Sequence, residues 1–283
     1  MGVPRLSSYG VMQGRLVPPE PGRFQAFPRD RWQDEFAFAA EAGLDYIEWI
    51  YDDYGASANP ICSDEGLAEF DRLKQKYSIA TPALCGDWFM DFPFLRCSAE
   101  QRQQRQQFLH RLLAMAQRIG AKRLVLPFVD QSRIQTEAEK HIVLAVLADA
   151  LPTAEQTGVE LHLETDLGPA DFASLMARIP HPMVRINYDS GNSSGLGYVA
   201  SEEFAAYGDR IGSIHIKDRL RKPDGSISTQ PLGHGSADFD DVFGSIGSIH
   251  YSGGLTLQAA RGEPGDEVNW IRQQLAFVQR YWP

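Results

Sequence analysis

An eight-stranded parallel (β/α)8 barrel in one domain spanning residues 1–283 is the fold class the sequence predicts, on three observations. Short β-rich runs alternate with helical apolar patterns along the whole chain. The length of 283 residues suits one such barrel, which typically needs roughly 250. No dinucleotide glycine fingerprint follows the first strand candidate, which argues against an open Rossmann sheet.

The strand candidates in order are YGVMQ (9–13), YIEWI (46–50), IATPALC (79–85), RLVLPF (123–128), VELHLET (159–165), VRINYD (184–189), IGSIHIK (211–217) and GLTLQ (254–258). Helices are expected between them. Phe108, Leu112, Met115 and Ile119 form one stripe, closed by Gly120 where a helix C-terminal glycine belongs. Phe172, Leu175, Met176 and Ile179 form another, with Asp171 as its expected N-cap. The pattern repeats at Phe239, Val242, Phe243 and Ile246 after Asp238, and closes with Val268, Ile271, Leu275 and Val278. Two connections, 14–30 and 218–238, are long and rich in proline and glycine. Both follow strands, on the face where barrel active sites form, so they are expected to cover a substrate.

Composition narrows the function classes. With 43% hydrophobic and 23% charged residues the chain reads as a soluble globule, and no run approaches the roughly 18 apolar residues of a membrane span. The N-terminus MGVPRLSSYGVMQG has no leader-like apolar core, so a cytoplasmic protein is expected. Cys62, Cys85 and Cys97 form no CxxC pair and are expected to be reduced. A net charge of −10 without a basic stripe argues against a nucleic-acid partner. Arg219, Arg221 and Lys222, in the seventh loop, could still face a small anion.

Four of the runs, LHLETD, VRINYDS, IHIKD and LTLQAA, carry at or near their C-terminal ends a residue able to hold a metal: Glu164, Asp189, His215 and Gln258. Their spacings of 25, 26 and 43 residues deliver one donor per βα unit. Side-chain alternation puts further polar groups on the same inward face: His162 below Glu164, Asn187 below Asp189, Lys217 above His215, and Thr256 below Gln258. Burying so many polar groups in a barrel costs several kcal/mol unless they are paired or bind an ion. The oxygen and nitrogen set suits one divalent ion, Mn, Mg or Zn.

On GVMQGRL, AGLDYIEWIYD, LHLET, NYDSGN, HIKD and PLGHGSADF, the chain resembles the sugar phosphate isomerase/epimerase proteins with a xylose-isomerase-like barrel, over nearly its full length. The resemblance implies that Glu164, Asp189 and His215 bind a divalent metal, and that two strand-end glutamates move protons between neighbouring sugar carbons. Gln258 stands where the second glutamate would be, and an amide cannot act as a base.

The expected reaction is proton transfer through an enediolate on a sugar or sugar phosphate, with Glu164 as base. Glu48, His162 and Lys217 are the candidates for the second proton carrier. Gln13, Arg15, Asp87, Trp88, Asn187 and Arg261 are the candidate substrate contacts; Gly233 and Gly235, around His234, allow either close ligand approach or a turn. A keto-sugar or inositol dehydratase or lyase, and a sugar-binding barrel without turnover, remain as alternatives. An abasic-site endonuclease would need more inward histidines than His162 and His215. No membrane partner is expected, and a homo-oligomer stays open.

Overall fold

Short β-rich runs, buried along most of their length, form the strands, and every second side chain faces the barrel interior. In the computed structural model, which describes residues 8–282, the elements follow in chain order. They are β1 (Tyr9–Met12), α1 (Asp34–Ala42), β2 (Tyr46–Ile50), α2 (Asp64–Tyr77), β3 (Ala83–Cys85), α3 (Trp88–Asp91), α4 (Ala99–Arg118) and β4 (Arg123–Phe128). Next come α5 (Glu137–Thr157), β5 (Glu160–Thr165), α6 (Pro169–Ala177), β6 (Val184–Asp189), α7 (Ser190–Leu196), α8 (Ala200–Tyr207) and β7 (Ile211–Ile216). The chain ends with β8 (Asp218–Arg221), β9 (Ile227–Gln230), α9 (Phe239–Ser248), β10 (Leu255–Leu257) and α10 (Glu267–Gln279).

Eight strands close in the ring order β1-β10-β7-β6-β5-β4-β3-β2, and each adjacent pair is parallel. The remaining pair, β8 and β9, is an antiparallel hairpin inside the seventh loop. The sequence RKPDGSI supplies its turn, with Gly225 at a positive φ of 83°.

Parity holds through the second strand. Glu48 points inward, while Trp49 points outward into an aromatic cluster with Phe27, Trp32, Phe36 and Phe70, at ring-centroid distances of 4.7 to 5.9 Å. Its indole N–H donates to Asn59 Oδ1 at 3.0 Å, so the one polar atom it buries is satisfied. At the opposite seam Gly10 is required: a Cβ there would lie 2.0 Å from the Tyr46 ring, whose hydroxyl bonds Thr256 Oγ1 at 2.9 Å.

Two expectations shift, and one lies partly outside the described residues. The third strand is shorter than 79–85, because Pro82 has no N–H for the ladder and only Ala80 makes an isolated bridge, to Tyr46. Gly168, not Asp171, is the N-cap of α6; Asp171 sits in the first turn and pairs with Lys140 at 2.6 Å. The first seven residues, part of the segment searched for a leader, lie outside the described residues. Among the described residues no helix is long and apolar enough to cross a membrane.

Candidate active site

The register of β6 and β7 pairs Asp189 with His215 directly, so these two donors stand level at the C-terminal ends of neighbouring strands. Glu164, on β5, completes a group whose ligand atoms lie within 4.8 Å of one another. All three side chains are buried. Their ligand atoms converge. His215 Nδ1 lies 3.3 Å from Glu164 Oε2 and 4.0 Å from Asp189 Oδ2. Neither His215 Nδ1 nor Asp189 Oδ2 makes a hydrogen bond. Buried polar atoms without partners are costly, and a shared cation would satisfy both. The two carboxylates and one imidazole therefore fit a divalent ion on donor chemistry and on unmet valence.

Surrounding groups hold each donor in place. Asp189 Oδ1 accepts from the N–H groups of Gly191 and Asn192, both at 2.8 Å, which starts α7 and leaves Oδ2 free. Glu164 accepts from Asn187 Nδ2 at 2.8 Å and Asn192 Nδ2 at 2.6 Å. His215 Nε2 lies 2.8 Å from Glu48 Oε1, which places a carboxylate behind the imidazole. Burial alone would lower the His215 pKa, but Glu48 and Glu164 raise it to about 10. Burial disfavours charge on Glu48 too, yet His215 and Arg123 keep its pKa below the usual range.

Of the three donors Glu164 alone lines the neighbouring cavity of about 260 Å³. Glu164, Asn192, Lys217 and Gln258 line its base, Cys85 and Asp87 one wall, and Phe24, Gln25 and Arg219, from the two long loops, its cover. Lys217 is buried and lies 3.7 Å from Asp189 Oδ2; burial lowers its pKa. Asp87 accepts from Gln25 Nε2 at 2.7 Å and from Cys85 Sγ at 3.1 Å, and burial raises its pKa.

The structure does not gather all the sequence candidates at the cavity. Gln258 lines it, but its Oε1 accepts from Lys217 Nζ at 3.2 Å and its Nε2 donates to Gln25 at 3.0 Å. Its oxygen is thus engaged by an ammonium. Glu48 and His162 lie deeper in the barrel, outside the cavity lining. His162 bonds Ser213 at 2.7 Å and Glu160 at 2.8 Å, and burial lowers its pKa to about 4. Gln13 accepts from the Ile50 N–H at 2.9 Å and fastens β1 to β2. Trp88 packs on Phe92 and Phe108.

Arg15 and Arg261 brace the first loop from behind. Arg15 donates to the Phe24 carbonyl at 3.3 Å, Gln25 Oε1 at 2.9 Å and the Ala259 carbonyl at 3.1 Å. Arg261 donates to the carbonyls of Phe24 at 3.2 Å and Val17 at 3.0 Å. Burial, then the neighbouring Arg261, lowers the Arg15 pKa to about 9. The N–H groups of Gly233, Gly235 and Ala237 all donate to Asp218, so the glycine pair around His234 makes a turn.

Sequence reasoning passed over Gln25, Cys85 and Asn192 as site residues. The NYDSGN motif held the signal for Asn192, three residues after Asp189 and within reach once Asp189 caps the next helix. Gln25 lay inside a loop with no period to read.

A family profile described as "Xylose isomerase-like TIM barrel" matches residues 36–281. The SgbU protein of Haemophilus influenzae, named for L-ribulose-5-phosphate 3-epimerase activity, is 22% identical over 273 residues, covering 89% of this chain and 94% of that protein. UlaE of Mycoplasma pneumoniae, named for the same activity, is 22% identical over 266 residues, covering 89% and 85%. Among solved structures, the IolI protein with a bound zinc atom superposes with a TM-score of 0.78 at 17% identity, covering 98% of this chain and 99% of that one. D-allulose 3-epimerase from Methylomonas sp. in complex with D-allulose superposes with a TM-score of 0.75 at 17% identity, covering 100% and 99%. These two structural likenesses bear on the fold. The chain belongs to the xylose isomerase-like TIM-barrel family.

Proposed function

We propose that this protein is a divalent-metal-dependent epimerase or isomerase of ketoses or ketose phosphates, acting by proton transfer next to the carbonyl. The observation that carries the reading is the convergence of Glu164, Asp189 and His215, with two buried atoms that make no hydrogen bond, next to a cavity of about 260 Å³ that Glu164 lines. The curated relatives named for a ribulose phosphate epimerase and the fold shared with a ketose epimerase support it.

A divalent ion held by these three residues would supply Lewis-acid polarisation of the substrate oxygens. The chain's own residues do the rest. Glu164, fixed by two amide donors, presents a carboxylate oriented to take a proton from the carbon beside the carbonyl. Lys217 places an ammonium at the cavity base where charge develops on the enediolate. Arg219 and Arg23, at the cover, are placed to receive a phosphate; Arg15 and Arg261 already serve the loop. Phe24 and Gln25 limit water entry.

A dehydratase reading shares the first proton transfer and is favoured by Gln258, which removes the usual second base. The test is incubation of the metal-loaded protein with D-allulose and with L-ribulose 5-phosphate in D2O. Deuterium at C3 with a new epimer supports epimerisation. A dehydrated product supports the lyase reading, and no change in either sugar rejects both.

A further inference from the structure

Resting on the epimerase reading, we infer that Asp87 is the second proton carrier, taking over the task that the amide of Gln258 cannot perform. Epimerisation needs an acid on the face of the substrate opposite the base, and five carboxylates line the cavity: Asp52, Asp87, Asp91, Asp130 and Glu164. Glu164 is the base. Asp52 spends one oxygen on the Phe27 N–H at 2.9 Å and the other on the Gly55 N–H at 2.7 Å, holding the backbone. Asp91 and Asp130 are exposed at the rim. Asp87 remains, held only by an amide and a thiol.

The hydrogen bonds that lead to Asp87 run one way. An ammonium can only donate, so Gln258 must turn its oxygen to Lys217 and its NH2 to Gln25. Gln25 must then present its oxygen to Gln258, where Arg15 also donates, and its NH2 to Asp87 Oδ2. The amide order therefore follows from chemistry rather than from a choice of rotamer. A glutamate at 258 would face the Gln25 oxygen and break the order. Gln258 is in this sense a positioning residue: through Gln25 it holds Asp87 against the cavity while Oδ1 meets only the Cys85 thiol. Burial raises the Asp87 pKa, the direction that favours its acid form.

The step balances without a further reactant. Glu164 takes the proton from C3, and the C–H electron pair becomes the C2–C3 double bond of the enediolate. As the carbonyl re-forms, that pair takes the Asp87 proton on the opposite face, leaving Asp87 as carboxylate and Glu164 as acid. Exchange with water resets both.

The test follows C3 of D-allulose and L-ribulose 5-phosphate by proton NMR in D2O, with wild type, Asp87→Asn and Asp87→Glu. Asp87→Asn should keep deuterium wash-in at C3 within about tenfold while inversion falls about a hundredfold or more, and Asp87→Glu should restore part of the inversion. Inversion by Asp87→Asn within about threefold of wild type overturns the assignment and leaves the epimerase reading standing. Parallel loss of exchange and inversion in Asp87→Asn, with neither regained in Asp87→Glu, also overturns it, because Asp87 would then be structural. A wild-type protein that exchanges neither sugar overturns the epimerase reading, and the assignment falls with it.

Discussion

Nε2 of His215 lies 2.8 Å from Oε1 of Glu48, while Nδ1 of the same ring faces Glu164 and Asp189. The imidazole is thus oriented from behind by a fully buried carboxylate. Glu48→Gln should weaken divalent-ion binding by about 10- to 100-fold, the usual cost of losing such a partner. Competition against a chromophoric chelator measures it; unchanged affinity would show that Glu48 serves the barrel alone.

Glu164→Gln should remove deuterium exchange at the substrate carbon, a loss of about 10²-fold or more, while the protein stays folded. The substitution keeps a single oxygen, so one of Asn187 and Asn192 loses its acceptor. Exchange at the wild-type rate would remove Glu164 from the role of base.

Gln258→Glu adds a charged oxygen 3.2 Å from Lys217 and deletes the donor to Gln25. Metal affinity should rise about five- to tenfold, the equivalent of roughly 1 kcal/mol. Titration calorimetry decides it: an unaltered constant means that residue 258 does not feel the ion.

Glu35 predicts a pH dependence of stability. Buried beneath the first loop, it accepts from the Gly14 N–H at 2.6 Å, and burial raises its pKa from 4.5 to about 7. A folded-state pKa above the unfolded one means that the protonated form favours folding. Its contribution is full below pH 4.5, declines as pH rises through about 7, and is then lost, to a total on the order of 3 kcal/mol. Urea unfolding from pH 4.5 to 8 should show this decline in wild type and a flatter profile in Glu35→Gln. Parallel profiles would count against it.

The ring of strands was legible because short β-rich runs alternate with helical stripes, and the runs 46–50, 123–128 and 184–189 coincide with β2, β4 and β6. Glu164, Asp189 and His215 were legible for the same reason: strand ends have a known face. The hairpin of β8 and β9 escaped because its strands are only four residues long and partly exposed, without an apolar face to give them a period. α7 escaped as well, since SGNSSGL has little helix propensity and depends on its Asp189 cap. The roles of Arg15 and Arg261 could not be read from sequence, because a guanidinium that braces a loop and one that grips a phosphate look alike until its partners are seen.

Those two guanidiniums come from opposite ends of the chain, one just after β1 and the other just after β10, where the ring is zipped shut. Both clasp the carbonyl of Phe24. The join between the earliest and the latest stave therefore shapes the doorway as well as closing the cylinder. Damage there, such as fraying of the terminal helix or a poor fit of the last stave, would blur the choice of guest before it melted the fold.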